Sequence, residues 1–277
     1  GEFWVVVTTD HKALYGLPAD TVMTYERFLA SVHPDDRERV STALKRAVET
    51  GTDYEVEKRA VWPDGSVHWN VTRGRVSHVR AGHPVQLSGV TVDITARKQA
   101  EEAMRASVER MTRQESALIA LSRKGALSDG ELLTALRRIT EVSARTLNVQ
   151  RVSVWRFNPD RSAIRCVELY ELQADRHSAG MELGVADFPA YFQALAQSDV
   201  IVADEAQTDL RTREFSTHYL QPLGITSMMD APIQLKGGLD GVACLEHVGP
   251  RRSWTADERT FAVAIATSWA AAISRRS

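Results

Sequence analysis

The stretch LSGVTVDITARKQAEEAMR, Leu87 to Arg105, decides how the first half of this chain folds. Val90, Val92 and Ile94 alternate with small or polar residues, the period-2 pattern of a strand. From Thr95 the composition turns to good helix formers, with Ala100, Glu101, Glu102, Ala103 and Met104 in succession and no glycine or proline before Lys124. A strand that hands over directly to a long helix is therefore expected. Met104, Met111 and Leu118 recur every seven residues with Val108 between them, a weak coiled-coil seam that Glu101 and Glu115 dilute. A dimerising or signal-carrying helix is one reading, and a solvated connector packed on its own domains is the other.

Working back from that strand, Tyr54 to Ile94 reads as three hairpin-linked antiparallel strands. Alternation puts Val67, Trp69 and Val71 inward and His68, Asn70 and Thr72 outward, with turns at Pro63-Asp64-Gly65 and Ala81-Gly82-His83-Pro84. Gly89 marks a bulge or a close backbone approach. Ahead of the sheet, Val40, Ala43, Leu44, Ala47 and Val48 recur at helical spacing, with Asp35 as the expected N-cap after Pro34 and Gly51 as a left-handed C-terminal cap.

Working forward, Ser128-Asp129-Gly130-Glu131 is a capping box opening an amphipathic helix through Leu132, Leu136, Ile139, Val142 and Leu147. Strands are expected at Val152 to Phe157, Ile164 to Tyr170, Met228 to Leu235 and Gly241 to Val248, the last two flanking a turn at Lys236-Gly237-Gly238. Short helices fall around Pro189 to Gln197 and Arg211 to Leu220. A second capping box, Thr255-Ala256-Asp257-Glu258, launches a final helix with Phe261, Ile265, Trp269 and Ile273 on one stripe.

The 277 residues, 43% hydrophobic and 25% charged, suit two globular domains, and a formal net charge of -2 gives no sign of nucleic acid as a partner. No apolar run is long enough to span a membrane, which sets the expectation of a cytoplasmic protein. Gly1, Glu2 and Phe3 read as a cloning remnant, so the chain is expected to be a piece of a longer protein. Two cysteines, Cys166 and Cys244, are too few for a disulfide framework or a zinc cluster.

The strings FLASVHPDDRERV (Phe28 to Val40), YEVEKRAVWPDGSVHW (Tyr54 to Trp69) and LSGVTVDITARKQAEEAMR together resemble a PAS domain of the sensor-kinase type, Asp93-Ile94-Thr95 being the motif at which such domains pass into a signalling helix. The strings VQRVSVWRFNPDRSAIRCVELY and PLGITSMMDAPIQLKGGLDGVACLEHVGPRRSWTADERTFA resemble a GAF domain of the kind placed before histidine kinase or cyclic-di-GMP output domains. The resemblance implies an α+β chain in which two antiparallel sheets flanked by helices are joined by a long helix. It places a PAS domain at residues 1-95 with a truncated or altered N-terminal edge before Trp4, a linker at 96-124 and a GAF domain at 125-277. It also implies a six-stranded GAF sheet with a pocket on one face, and a homodimer formed through the linker and terminal helices. The fragment would have no enzymatic activity of its own and would control an output domain beyond Ser277. Signal transfer would run through Asp93, Ile94, Thr95, Met104, Val108, Met111 and Leu118.

The candidate lining of the GAF pocket is Trp155, Tyr170, Tyr191, Phe192, Tyr219, Met228, Asp230, Cys244, Glu246 and His247, with Asp230 and Glu246 as the groups that would orient a ligand. An aromatic-rich core without a ligand, serving only dimerisation and protein docking, accounts for most of these residues equally well. The sequence requires no cofactor. A covalent bilin needs a positioned cysteine in a chromophore pocket, and neither predicted strand cysteine suits it. Haem needs an axial ligand, and although His33, His68, His78, His83, His177, His218 and His247 each have a more ordinary structural reading, haem or another small molecule stays open as a ligand. No metal cluster, phosphate loop or nucleophile elbow is present.

Overall fold

The computed structural model describes residues 9–80, 83–122, 129–235 and 238–274. The expectations resting on Gly1-Glu2-Phe3, the edge at Trp4, the Ala81-Gly82 turn, Ser128 and Lys236-Gly237 lie outside these residues. The chain divides into two compact units, Gly1–Ser107 and Val108–Ser277, each an antiparallel sheet with helices. The α+β class is therefore as expected.

In the first unit α1 (Thr9–Ala13), α2 (Tyr25–Ser31) and α3 (Pro34–Thr50) precede β1 (Tyr54–Val61), β2 (Val67–Arg80) and β3 (His83–Asp93), ordered β1-β2-β3. Gly51 ends α3 at φ 66°, the left-handed cap expected of a glycine. The N-cap, however, is His33 rather than Asp35. Its Nδ1 accepts the Asp35 amide at 3.4 Å with Pro34 in the first helical position, while Asp36 turns inward. Asp36 accepts the Arg59 backbone amide at 2.9 Å and two guanidinium bonds at 3.0 Å, which locks α3 to β1.

The two faces of β2 are the reverse of those expected. Tyr54, Val56 and Ala60 of β1 are buried against Tyr15, Phe28, Val32 and Val40, and the ladder pairs Val56 with Thr72, Lys58 with Asn70 and Ala60 with His68. Paired residues share a face, so His68, Asn70 and Thr72 turn to the helices, while Val67, Val90 and Val92 are exposed on the outer side. Alternation shows that two faces differ. It does not show which one the helices cover.

The inner face consequently carries a buried lysine. Lys58 is fully buried, its Nζ donates to Thr72 Oγ1, and it sits 5.6 Å and 5.9 Å from the ring centroids of Phe28 and Tyr15. Burial lowers its pKa to about 8. Gly89 meets the expected close approach, because a Cβ there would lie 2.4 Å from the Arg73 carbonyl oxygen.

Helix α4 (Thr95–Ser122) begins one residue after β3 ends. Asp93 Oδ1 accepts the Thr95 amide at 2.7 Å, Thr95 Oγ1 accepts the Trp69 amide at 2.9 Å, and the Ile94 amide donates to the Trp69 carbonyl at 2.8 Å. The tripeptide thus fastens the start of the helix to β2, with Ile94 buried beneath it. Along α4, Met104, Val108 and Met111 are exposed by 70%, 53% and 54%. Leu118, on the same stripe one heptad beyond Met111, is instead partly buried and packs with Ala117 against the core of the second unit.

The second unit contains α5 (Asp129–Leu147), β4 (Arg151–Phe157), β5 (Ala163–Glu171), β6 (Arg176–Ser178), β7 (Glu182–Gly184), α6 (Pro189–Gln197), β8 (Ile201–Ala203), β9 (Ile225–Leu235), β10 (Gly238–Val248) and α7 (Ala256–Ser274). The sheet runs β6-β5-β4-β10-β9-β8, with β7 also on β5, so among the described residues it has seven strands rather than the six expected. The difference comes from β6 and β7, two three-residue pieces that both pair with β5. The second capping box forms as read. The Thr255 amide donates to Glu258 Oε2 at 3.0 Å and the Glu258 amide to Thr255 Oγ1 at 3.4 Å.

One face of this sheet is covered by α5 and α7, burying Ala243, Leu245, Met229 and Ala231 against Phe261, Ile265 and Trp269. The other is covered by α6 and the segment around Phe215, burying Trp155, Cys166, Met228, Val242 and Cys244. The same two strands serve both cores because successive side chains alternate across the sheet.

Candidate functional site

The second of these faces encloses a small cavity. Trp155 from β4, Ile164 from β5, Met228 and Asp230 from β9, and Cys244 and Glu246 from β10 form its floor. Tyr191 from α6 and Leu183 close the sides, and Phe215 and Tyr219 roof it from a short helical segment, 3₁₀ at Arg213–Phe215 and π-helical at Ser216–Leu220. A π-helical turn leaves the usual i→i−4 ladder and is found preferentially at functional sites. The space left for the centre of a water-sized sphere is about 20 Å³, room for about one water molecule.

Two carboxylates lie on the floor, both almost completely removed from solvent. Glu246 is well compensated. Its Oε2 accepts Arg151 Nε at 2.9 Å and its Oε1 accepts the Tyr219 hydroxyl at 2.8 Å, while Arg151 also bonds Glu171 at 2.6 Å. Asp230 is not. Its Oδ2 accepts the Tyr191 hydroxyl at 2.7 Å, but no hydrogen bond of normal geometry reaches Oδ1, whose cross-strand neighbour is the weak thiol donor of Cys244. Asp230 makes no ion pair among the described residues. Desolvation pushes its pKa up to about 7, only partly offset by the Tyr191 bond, and burial likewise raises that of Glu246.

Both thiols face this side of the sheet and both are held protonated. Burial raises Cys166 to about 12 and Cys244 well above its ordinary value, the environment of an inert thiol rather than a nucleophile. Among the described residues no three His, Cys, Asp or Glu side chains converge as metal ligands.

Of the ten residues singled out from sequence, seven line the cavity: Trp155, Tyr191, Tyr219, Met228, Asp230, Cys244 and Glu246. Phe192 lies in the same core but packs behind Tyr191 and against Phe157. His247 follows Glu246 and so points away from it. Tyr170 belongs to the opposite core, bonded to Asp175 at 2.5 Å and to Arg145 at 2.8 Å. The cause is a bulge. β4 and β5 pair Val154 with Glu168 but Trp155 with Cys166, and the extra residue, Val167, inverts the phase of β5 beyond it. His177 also lies on the α5 side, between Glu168 and Glu141, and His218 is exposed.

Sequence reading missed Arg151, Phe215, Ile164 and Leu183. The register Glu246 to Arg151 is what makes Arg151 the counter-ion, and register is a tertiary property. A larger open groove of about 560 Å³ lies along β8. Its charges satisfy one another, however, with Arg211 bonding Asp209 and the Val202 carbonyl, and Asp204 accepting the Trp254 amide.

A family model described as a GAF domain matches residues 131–273, and one described as the PAS fold matches residues 5–91. The chain belongs to the GAF family, with a PAS domain ahead of it. Both are sensory domains, so this PAS-GAF chain is a sensory signal-transduction module. It is similar to the sensor protein FixL of Bradyrhizobium diazoefficiens, 31% identical over 176 residues. That match covers 61% of the chain but 34% of the relative, so the chain spans about a third of the curated relative it matches. The phycocyanobilin-bound GAF domain of a cyanobacterial phytochrome is similar at 22% identity and a TM-score of 0.48, over 58% of this chain and 93% of that one. The wild-type chromophore-binding domain of a Stigmatella aurantiaca phytochrome is similar over 95% of this chain and 88% of that one, at 13% identity and a TM-score of 0.46. At that level neither structure bears on what the PAS-GAF chain binds. Among the described residues no helix is long and apolar enough to cross a membrane.

Proposed function

We propose that this PAS-GAF chain is the sensory part of a bacterial cytoplasmic signalling protein, and that the GAF cavity receives a small molecule. The signal would pass along α4 and α7 of a homodimer to an output domain in the same polypeptide, a histidine kinase or a cyclic-di-GMP enzyme. The observation that carries this reading is α4. The Asp93-Ile94-Thr95 bonds clamp its start to the PAS sheet, and its middle leaves Met104, Val108 and Met111 in solvent at coiled-coil spacing. Exposed apolar side chains in register are what a second copy would cover. A sensor transmits by shifting a two-state equilibrium, and a seam of few apolar residues is easily shifted.

Multi-angle light scattering tests the dimer. Replacing Met104, Val108 and Met111 together by serine should convert a dimer to a monomer, and a wild-type chain that stays monomeric at high concentration rules the helix mechanism out. Native mass spectrometry of the protein purified from its source tests the ligand, with a small molecule retained as the expected result. A second reading, in which neither domain takes a ligand and both serve as docking and dimerisation surfaces, is favoured by the cavity's present size of about 20 Å³. Protein that is clean of small molecules under those conditions supports it.

A further inference from the structure

Resting on the reading of the GAF cavity as the sensory site, we infer that its ligand is a small planar nitrogenous cation, of the amidinium, guanidinium or protonated heteroaromatic amine class, held by Asp230. Charge is the first argument. Glu246 has Arg151 and Tyr219, whereas Asp230 has only neutral donors, the Tyr191 hydroxyl and the weak thiol of Cys244, and is the carboxylate of the site without a cation. Asp230 Oδ1 lacks a hydrogen bond of normal geometry, which is costly for a buried carboxylate oxygen, and a ligand N–H directed at it removes that cost. The second argument is the wall. The rings of Trp155, Tyr191, Phe215 and Tyr219 line it, and aromatic rings attract a flat cation and suit the apolar remainder of such a molecule. An anionic ligand would meet two carboxylates, and Arg151 is already engaged by both Glu246 and Glu171.

Entry requires the roof to move, because the cavity as it stands holds about one water. Besides the ring contacts of Phe215 with Phe188 and Tyr191, side-chain hydrogen bonds fasten the roof at two points. Tyr219 donates to Glu246 at 2.8 Å, and Glu214 accepts the amides of Ala190 and Tyr191 at the start of α6 at 3.1 Å and 3.2 Å. Opening that π-helical segment exposes Asp230, and the ligand replaces the roof's aromatic contacts with its own. Occupancy is thereby coupled to the position of Arg213–Leu220.

Protonation gives a signature that packing alone would not produce. The groups facing Asp230 are Tyr191 from α6, Cys244 and Glu246 from β10, and through Glu246 the Tyr219 hydroxyl and Arg151. Burial holds Tyr191, Tyr219 and Cys244 neutral and raises the pKa of Glu246 too, but Glu246 keeps Arg151 as its counter-ion, so the unpaired charge that appears as pH rises towards about 7 is that of Asp230. A fixed cation should bind more tightly by up to tenfold per pH unit below that point and level off above it.

The probes are benzamidine, a fixed planar cation in this range, its neutral isostere benzamide and the anion benzoate, titrated calorimetrically into the whole chain. Benzamidine should bind at least tenfold more tightly than either relative, with the stated pH profile, and increase amide exchange in Arg213–Leu220. Asp230→Asn should reduce its affinity at least tenfold and flatten the profile. The wild-type pH profile serves if that variant does not fold. Equal binding of benzamide or benzoate, a flat wild-type profile, or no binding of benzamidine at millimolar concentration overturns the cation assignment. The sensor reading is judged separately by the native mass spectrum: a retained neutral or anionic molecule preserves it and removes this inference, and a retained cation supports both.

Discussion

Replacing Asp230 by asparagine should change how the stability of the GAF domain depends on pH, independently of any ligand. The carboxyl is fully buried and titrates near 7 in the folded chain against an ordinary 3.8. Between those values the folded state binds the proton and the unfolded state does not, so wild-type stability falls as pH rises through the window. A shift of about 3 units corresponds to about 4 kcal/mol over the whole range, and to about 2.5 kcal/mol between pH 5 and pH 8. Asparagine does not titrate. Whatever fixed cost its amide brings beside Cys244 cancels when the two pH values are compared. Urea unfolding of both proteins at pH 5 and pH 8, followed by amide exchange in β9 and β10, should show the variant gaining about 2.5 kcal/mol relative to wild type at the higher pH. A wild-type to variant difference that stays constant within about half a kcal/mol would show that Asp230 is ionised in the folded state at pH 5, and the argument from burial would fail.

Lys58→Met should stabilise the PAS domain at pH 7 by up to about 3 kcal/mol, because the folded lysine titrates near 8 rather than 10.5 and is charged in an apolar core. Wild-type stability should rise between pH 8 and pH 10 and the gain from methionine should fade there, as thermal melts across that range would show. Asp36→Asn should cost about 2 kcal/mol at pH 7, since the Arg59 guanidinium bonds hold this carboxyl down to about 2. That loss should be complete above pH 4 and vanish as pH falls through 2, where wild type loses the same energy, which denaturant titrations at several pH values would measure. Gly241→Ala should cost at least about 2 kcal/mol in chemical denaturation, because a Cβ there would lie 2.0 Å from the Trp155 carbonyl oxygen across the β4–β10 pair.

The pocket residues that sequence reading found are those whose type is unusual for their place. Asp230 and Glu246 are carboxylates within strands rich in apolar residues, and Trp155, Tyr191 and Tyr219 are large rings with a polar handle. Tyr170 looked equivalent and is not, since the bulge at Val167 lies between it and the pocket and a bulge has no reliable signature in one sequence. Leu118 fits a seven-residue repeat as well as Met104 and Met111 do, yet it is withdrawn into a core. Periodicity along one helix carries no record of what lies opposite.

The order of the longer helices and strands, the caps at Gly51 and Thr255, the close approach at Gly89 and the hand-over from strand to helix at Asp93-Ile94-Thr95 follow from sequence alone. Each depends on residues a few positions apart or on a glycine's missing Cβ. Which face of the PAS sheet is covered, which counter-ion belongs to Glu246 and which carboxylate is left without one were decided by the tertiary structure. Those questions turn on strand register, and register is set by packing between segments far apart in the chain: Lys58 is inside because Val56 and Ala60 are, and Asp230 is uncompensated because Arg151 lies opposite Glu246 instead.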